Sequence, residues 1–198
     1  MFRRGWFLVG VACIAGTRPE LIKMAPVIKA FQKYHDVELL FIHSGQHYDQ
    51  NMSNIFLQQL GLPQPTANLN IGSDSPGAQT AKILIQCEKL LQKHKPDLVL
   101  SEGDTNTVLA SSLAAIKARI PYGHIESGLR CYDRKMPEEI NRVIADHNAE
   151  LCFAPTERNA LNLAFEGIPS ERIHITGNTI VDACTQNLKI AKTKSKIL

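Results

Sequence analysis

Between His124 and Arg142 the chain reads His-Ile-Glu-Ser-Gly-Leu-Arg-Cys-Tyr-Asp-Arg-Lys-Met-Pro-Glu-Glu-Ile-Asn-Arg. Glu126, Arg130, Arg134, Glu138 and Arg142 thus fall within one strand, one loop and one helical turn. Carboxylates interleaved with arginines suit a site that moves protons beside an anion. Ile120 to Ile125 reads as a short buried parallel strand, which puts Glu126 at its carboxyl end, where open α/β sheets bind ligands. Pro137 suits the first position of the next helix, and the apolar period turns Ile140, Val143, Ile144 and His147 toward the core. Glu138 and Arg142 then share the opposite face, four residues apart and within reach of each other; a solvated ion pair is the plain alternative.

Two other strand ends carry polar clusters. Thr17 and Glu20 have the spacing of a capping box, and Arg18 in the turn with Lys23 a turn further on gives a layout able to hold a diphosphate. The alternative is an exposed Arg and Lys on a well-capped helix, and the turn lacks the glycine patterns of dinucleotide or Walker sites. Glu102-Gly103-Asp104-Thr105-Asn106-Thr107 follows another buried strand; Asp104 is either a helix N-cap or part of the site. A third polar loop, His43 to Tyr48, follows the second strand. His43 and His47 lack further ligands at metal spacing, so no metal is expected and His47 reads as a loop histidine.

The elements that position these clusters alternate. Apolar runs at Phe7 to Ile14, Val37 to Ile42, Asp97 to Ser101, Ile120 to Ile125, Leu151 to Ala154 and Ile173 to Thr176 read as strands, with amphipathic helical stretches between them. That alternation calls for a parallel sheet covered on both faces. Pro63 to Ser75 reads as a connection with at most a short extended piece, and the last helix is expected to give way to a Lys-rich tail from Lys189.

With 198 residues and a formal net charge of +3, one domain is the expectation, and interspersed charges argue against a nucleic-acid surface. Five cysteines at 13, 87, 131, 152 and 184, without a Cys-x-x-Cys pair, fit reduced thiols in a cytoplasmic protein. Met-Phe-Arg-Arg followed by an apolar run imitates a secretory signal, but the run passes straight into Gly16-Thr17-Arg18-Pro19-Glu20 and reads as a first strand. No stretch is long enough for a membrane helix.

The motifs Gly-Thr-Arg-Pro-Glu at 16 to 20, Ser-Gly-Gln-His-Tyr at 44 to 48, Gly-Asp-Thr-Asn-Thr at 103 to 107, His-Ile-Glu-Ser-Gly-Leu-Arg at 124 to 130, Pro-Glu-Glu-Ile-Asn-Arg at 137 to 142, Ala-Pro-Thr-Glu at 154 to 157 and Thr-Gly-Asn-Thr at 176 to 179 together resemble the non-hydrolysing UDP-N-acetylglucosamine 2-epimerases. The resemblance implies an α/β fold, a three-layer Rossmann-like parallel sheet forming one half of a glycosyltransferase-B-like two-domain architecture. Residues 1–187 correspond to the first domain, with 188–198 as a basic tail or linker stub. The Gly-His-Arg and Ser-Gly-Gly segments of a second, UDP-gripping domain do not occur before Leu198, so that domain is an implied partner and the isolated chain is expected to be inactive.

The implied reaction converts UDP-N-acetylglucosamine to UDP-N-acetylmannosamine. UDP is eliminated with the C2 proton, leaving a 2-acetamidoglucal, and re-adds after the proton returns on the other face. Because that proton is weakly acidic, UDP departure leads, and carboxylates stabilise the oxocarbenium character that develops. By resemblance Asp104, Glu126 and Glu138 are the catalytic carboxylates, Arg142 positions Glu138 or the diphosphate, and Arg18, Lys23, Gln46 and His47 contact the substrate. No metal or nicotinamide is implied; a homodimer is. The rival classes are a nucleotide-sugar binding module and half of a glycosyltransferase. The chain departs from the family's common residues at Ser44 for Thr, Glu102 for His and Ser127 for Ala. Glu102 adds negative charge beside Asp104, with the expectation that one of the two titrates high.

Overall fold

The computed structural model describes residues 8–45 and 56–194. β1 (Val9–Ala15) lies parallel between β2 (Val37–His43) and β4 (Leu98–Glu102). Beyond β2 comes the two-residue β3 (Ala67–Asn68), and beyond β4 come β5 (Tyr122–Ile125), β6 (Leu151–Ala154) and β7 (Ile173–Ile175). The order β3-β2-β1-β4-β5-β6-β7, parallel at every pairing, is that of a Rossmann sheet. Strand order reverses between β1 and β4, so a crevice opens where their carboxyl ends diverge.

Alternation along the central strands divides the core between two faces. Val11, Cys13 and Ala15 pack with Phe41, Leu100 and Ile125 beneath α1 (Arg18–Phe31), which contributes Leu21, Met24, Ala25 and Ile28. Ala12, Ile14, Ile42 and Val99 pack on the other face with Ile83, Cys87 and Leu91 of α2 (Pro76–His94) and Val108, Ala110, Ala114 and Ala115 of α3 (Asn106–Lys117). Helices on both faces make the three layers, as a buried parallel sheet demands. α2 ends where Lys95 turns left-handed (φ 48) ahead of Pro96, which cannot continue a helix. Residues 56–60 are helical and stop at Gly61, whose φ is 64.

α4 (Pro137–Asn148) departs from its expected phase. Its buried residues are Glu139, Asn141, Ala145 and Asp146, whereas Ile140, Val143 and Ile144 are only half-buried and His147 is exposed. The inward face is polar because the loops it covers present backbone N–H and carbonyl groups that need partners, and these outweigh the apolar period. The chain closes with α5 (Glu157–Phe165) and α6 (Thr179–Lys194). α6 runs on to Lys194, into the Lys-rich segment expected as a tail, where no Gly or Pro breaks it. No helix among the described residues is long and apolar enough to cross a membrane.

Candidate active site

The capping box forms and does more than begin a helix. Thr17 Oγ1 accepts from the Glu20 amide, while Glu20 Oε2 accepts from the amides of Gly16 and Thr17, each at 2.7 Å. The other Glu20 oxygen accepts from Thr105 Oγ1 at 2.5 Å, which ties the β1 turn to the β4 turn. Burial raises Glu20 above the ordinary carboxylate value despite the three hydrogen bonds its carboxylate accepts. Gly16 is required for the packing: a Cβ there would lie 2.1 Å from Ser44 Oγ and 2.2 Å from Thr107 Oγ1, which are themselves paired at 2.8 Å.

On the next turn of α1, Lys23 bridges two carboxyl groups. Its Nζ lies 2.5 Å from Glu126 Oε2 and 2.9 Å from Glu102 Oε1. Glu102 is the last residue of β4, paired in register with Ile125, so the two acids stand side by side at adjacent strand ends. Glu126 follows β5 with φ at 69, a left-handed conformation that is rare for glutamate and marks a site held by its surroundings. Burial and the neighbouring Glu126 carboxylate push Glu102 up to about 10 against the pull of Lys23. Burial also works to raise Glu126, but Glu102, Lys23 and Asn178 hold it below the ordinary value. Burial depresses the Lys23 ammonium, and the two acids more than restore it. Glu102 therefore acts on Glu126 and Lys23, not on Asp104 as its place in the sequence suggests, because Gly103 at φ 90 swings the next residue away from the strand direction.

Asp104 belongs to a second cluster. Arg142 donates to its carboxylate and also reaches Glu139 Oε2 at 3.2 Å; it makes no ion pair with Glu138. Glu139 is buried and accepts from the amides of Cys131 and Tyr132, at 3.2 and 2.8 Å, fixing the loop before α4. Asn141 donates to the Asp104 carbonyl at 2.9 Å. Asp104 is not the N-cap of α3. That role falls to Thr105, whose hydroxyl accepts from the Thr107 amide at 3.1 Å, leaving the Asp104 carboxylate to Arg142.

Behind the two clusters lies a buried ionic network. His124 places Nδ1 2.6 Å from Asp146 Oδ1 and Nε2 2.7 Å from the Gly103 carbonyl, so both ring nitrogens face acceptors. Asp146 also accepts from the Gly128 amide at 3.1 Å and pairs with Arg130 at 2.7 Å, and Arg130 grips both oxygens of Glu166. Burial raises Asp146, but His124 and Arg130 overcome it and leave the carboxyl below its usual value. Arg130 thus braces the scaffold, its side chain 1% exposed, and does not stand in the crevice beside an anion.

Of the residues read from the sequence, Lys23 and Glu126 are in contact, as are Asp104 and Arg142, at the carboxyl ends of neighbouring strands. Glu138 is exposed in the first turn of α4 and has no hydrogen bond or ion pair with either cluster among the described residues. Arg18 is exposed, with its guanidinium 6.0 Å from the centre of the Phe56 ring. Gln46 and His47 lie outside the described residues. Sequence reasoning missed Glu139, Asp146 and Asn178 and the link from Glu102 to Lys23. The usable signal for Glu139 was its three-residue spacing from Arg142, as close on a helix as the four-residue spacing of Glu138. No group of three or more His, Cys, Asp or Glu able to hold a metal occurs among the described residues.

A family described as UDP-N-acetylglucosamine 2-epimerase matches residues 29–198. The chain belongs to the UDP-N-acetylglucosamine 2-epimerase family. It is 56% identical over 187 residues to the UDP-N-acetylglucosamine 2-epimerase of Methanococcus maripaludis, a match covering 94% of this chain and 50% of that protein. The crystal structure of the Methanocaldococcus jannaschii UDP-GlcNAc 2-epimerase in complex with UDP-GlcNAc and UDP superposes with a TM-score of 0.92 at 52% identity, over 96% of this chain and 52% of that one. A lipopolysaccharide outer core galactosyltransferase shares the fold, with a TM-score of 0.59 at 14% identity. The chain spans about half the length of the curated epimerases it matches.

Proposed function

We propose that this epimerase-family chain supplies one wall of an active site that interconverts UDP-N-acetylglucosamine and UDP-N-acetylmannosamine at C2, a second Rossmann-like domain supplying the other wall. The observation that carries this reading is the placement of two acid–base clusters, Lys23 with Glu126 and Arg142 with Asp104, at the ends of β4 and β5 beside the strand-order reversal. In this reading the elimination of UDP needs negative charge near the anomeric carbon as the C1–O bond breaks, and an acid–base pair to remove and return the C2 proton.

Glu126 and Asp104 supply carboxyl groups each already oriented by a cation, so neither has to reorganise as positive charge develops on the sugar. Glu138, with no hydrogen bond or ion pair among the described residues, is the third carboxylate and enters when the crevice closes. Arg142 positions Asp104 where the sequence paired it with Glu138. Arg18, exposed at the amino end of α1, contacts the diphosphate through its guanidinium, and Gln46 and His47 are further substrate contacts.

The deciding experiment is proton NMR with UDP-GlcNAc in deuterated water, using the protein that carries this chain together with a second domain. Loss of the C2 proton signal with appearance of the manno product is expected. Retention of that signal under turnover-competent conditions overturns the reading.

A further inference from the structure

Glu102 is buried at the point where the sheet reverses its order, its side chain 1% exposed, and the one cation paired with it among the described residues, Lys23, is also committed to Glu126. With both acids ionised, two carboxylates would face a single ammonium, leaving an uncompensated negative charge in a site shielded from water. Hydrogen bonding gives the same answer independently. Although Lys23 Nζ is 2.9 Å from Oε1, neither buried Glu102 oxygen receives a well-directed hydrogen bond among the described residues. A hydrogen on Glu102 removes the excess charge and turns one of those oxygens into a donor toward its neighbour.

We propose that Glu102 is a positioning residue that, as a neutral acid, donates its hydrogen to Glu126 and with Lys23 pins that carboxylate in ionised form toward the crevice. This rests on the reading of Glu126 as a working carboxylate of the epimerase site. Among the described residues the groups facing Glu102 are Lys23 from α1 and Glu126 after β5, and Asn178, ahead of α6, hydrogen-bonds Glu126. His124 on β5 is turned to Asp146 and the Gly103 carbonyl instead. The elevated titration of Glu102 and the depressed titration of Glu126 agree with one hydrogen held between them.

The test is a carbon-13 NMR titration of the glutamate carboxyls in the 198-residue chain, comparing wild type with Glu102→Gln and Glu102→Leu. In wild type the Glu102 carbon should keep the shift of a protonated acid through neutral pH while Glu126 is ionised. Glu102→Gln retains an N–H donor and should leave the Glu126 midpoint in place. Glu102→Leu removes the donor and should raise that midpoint by about one pH unit.

A merely charged Glu102 makes the opposite forecast, because deleting a negative neighbour lowers the Glu126 midpoint in both variants. That sign, or a Glu102 carbon titrating in the ordinary carboxylate range, overturns the proposal; the wild-type titration decides alone if Glu102→Leu does not fold. In the two-domain protein, the acid limb of the kcat–pH profile should move up for Glu102→Leu and not for Glu102→Gln. Absence of C2 exchange in wild type overturns the functional reading and leaves the titration result standing.

Discussion

Lys23 and Glu126 are 103 residues apart in the chain and 2.5 Å apart in space. The contact forms because α1 starts immediately after β1 and folds back across β4 toward the end of β5. One ammonium thereby fixes the charge of a carboxylate delivered by a different βα unit.

Removing that ammonium should therefore disturb chemistry more than folding. Lys23→Met leaves Glu126 without its cation, and turnover of the two-domain protein should fall by about 10²-fold or more, with the acid limb of the pH profile shifted upward. The chain alone should lose only about 1–2 kcal/mol in urea denaturation, because Lys23 is partly exposed and Glu102, as a neutral acid, leaves no bare charge behind in the interior.

Stability on the basic side follows from Glu102. Its folded value near 10 lies above the ordinary 4.5, so the folded chain holds an extra proton across that window and loses stability as pH rises through it. Glu126 contributes the opposite slope, but only on the acid side, since its own value is lowered. Urea midpoints should fall from about pH 6 to about pH 9, and Glu102→Gln should flatten the fall by on the order of 1–3 kcal/mol.

Acid has the reverse effect through Asp146. Its folded value is lowered, so the stability it contributes is complete above the unfolded Asp value and is lost as pH drops through the folded one. Asp146→Asn leaves Arg130 and His124 short of charge inside the protein and should cost about 3–5 kcal/mol at neutral pH, read by chemical denaturation. The variant should also lose part of the acid-induced destabilisation seen in wild type.

Adjacent glutamates at 138 and 139 should separate cleanly. Glu139→Ala removes the acceptor for two loop amides and the partner of Arg142, and should destabilise the chain by about 2–3 kcal/mol. Glu138→Gln should change stability by less than about 0.5 kcal/mol, as for other exposed positions. If Glu138 serves as the third carboxylate, C2 exchange in the two-domain protein should nevertheless drop by orders of magnitude. Full exchange in Glu138→Gln removes it from the mechanism.

Gly16→Ala tests the junction of β1, β2 and α3. The added methyl would collide with two hydroxyls that already bond to each other, at 2.1 and 2.2 Å, and should cost about 1–3 kcal/mol by thermal melting.

The sheet, its helices and the capping box were legible in the sequence because each has a local signature: apolar runs, a Thr-x-x-Glu spacing, Pro and Gly at element ends. α4 was legible as a helix opening at Pro137, but its facing was not, since its core-facing side is chosen by distant loop amides and by His124, and hydropathy sees neither. Asp104 and Glu126 were identifiable by position at strand ends. Their partners were not, because a strand-end carboxyl can turn toward either neighbouring βα unit, and only Gly103 and the left-handed Glu126 decide which. Glu102 shows the limit best: two residues before Asp104 in sequence, it faces a lysine on another element, α1.

His124 links the Gly103 carbonyl to Asp146 by its two nitrogens, so the turn bearing Asp104 and the helix bearing Arg142 are clamped from behind by a single imidazole. Anything that loosens this ring shifts both members of the Asp104–Arg142 couple at once. A genetic screen for dead alleles would accordingly score position 124 alongside Asp104 and Arg142, although its side chain is sealed within the protein.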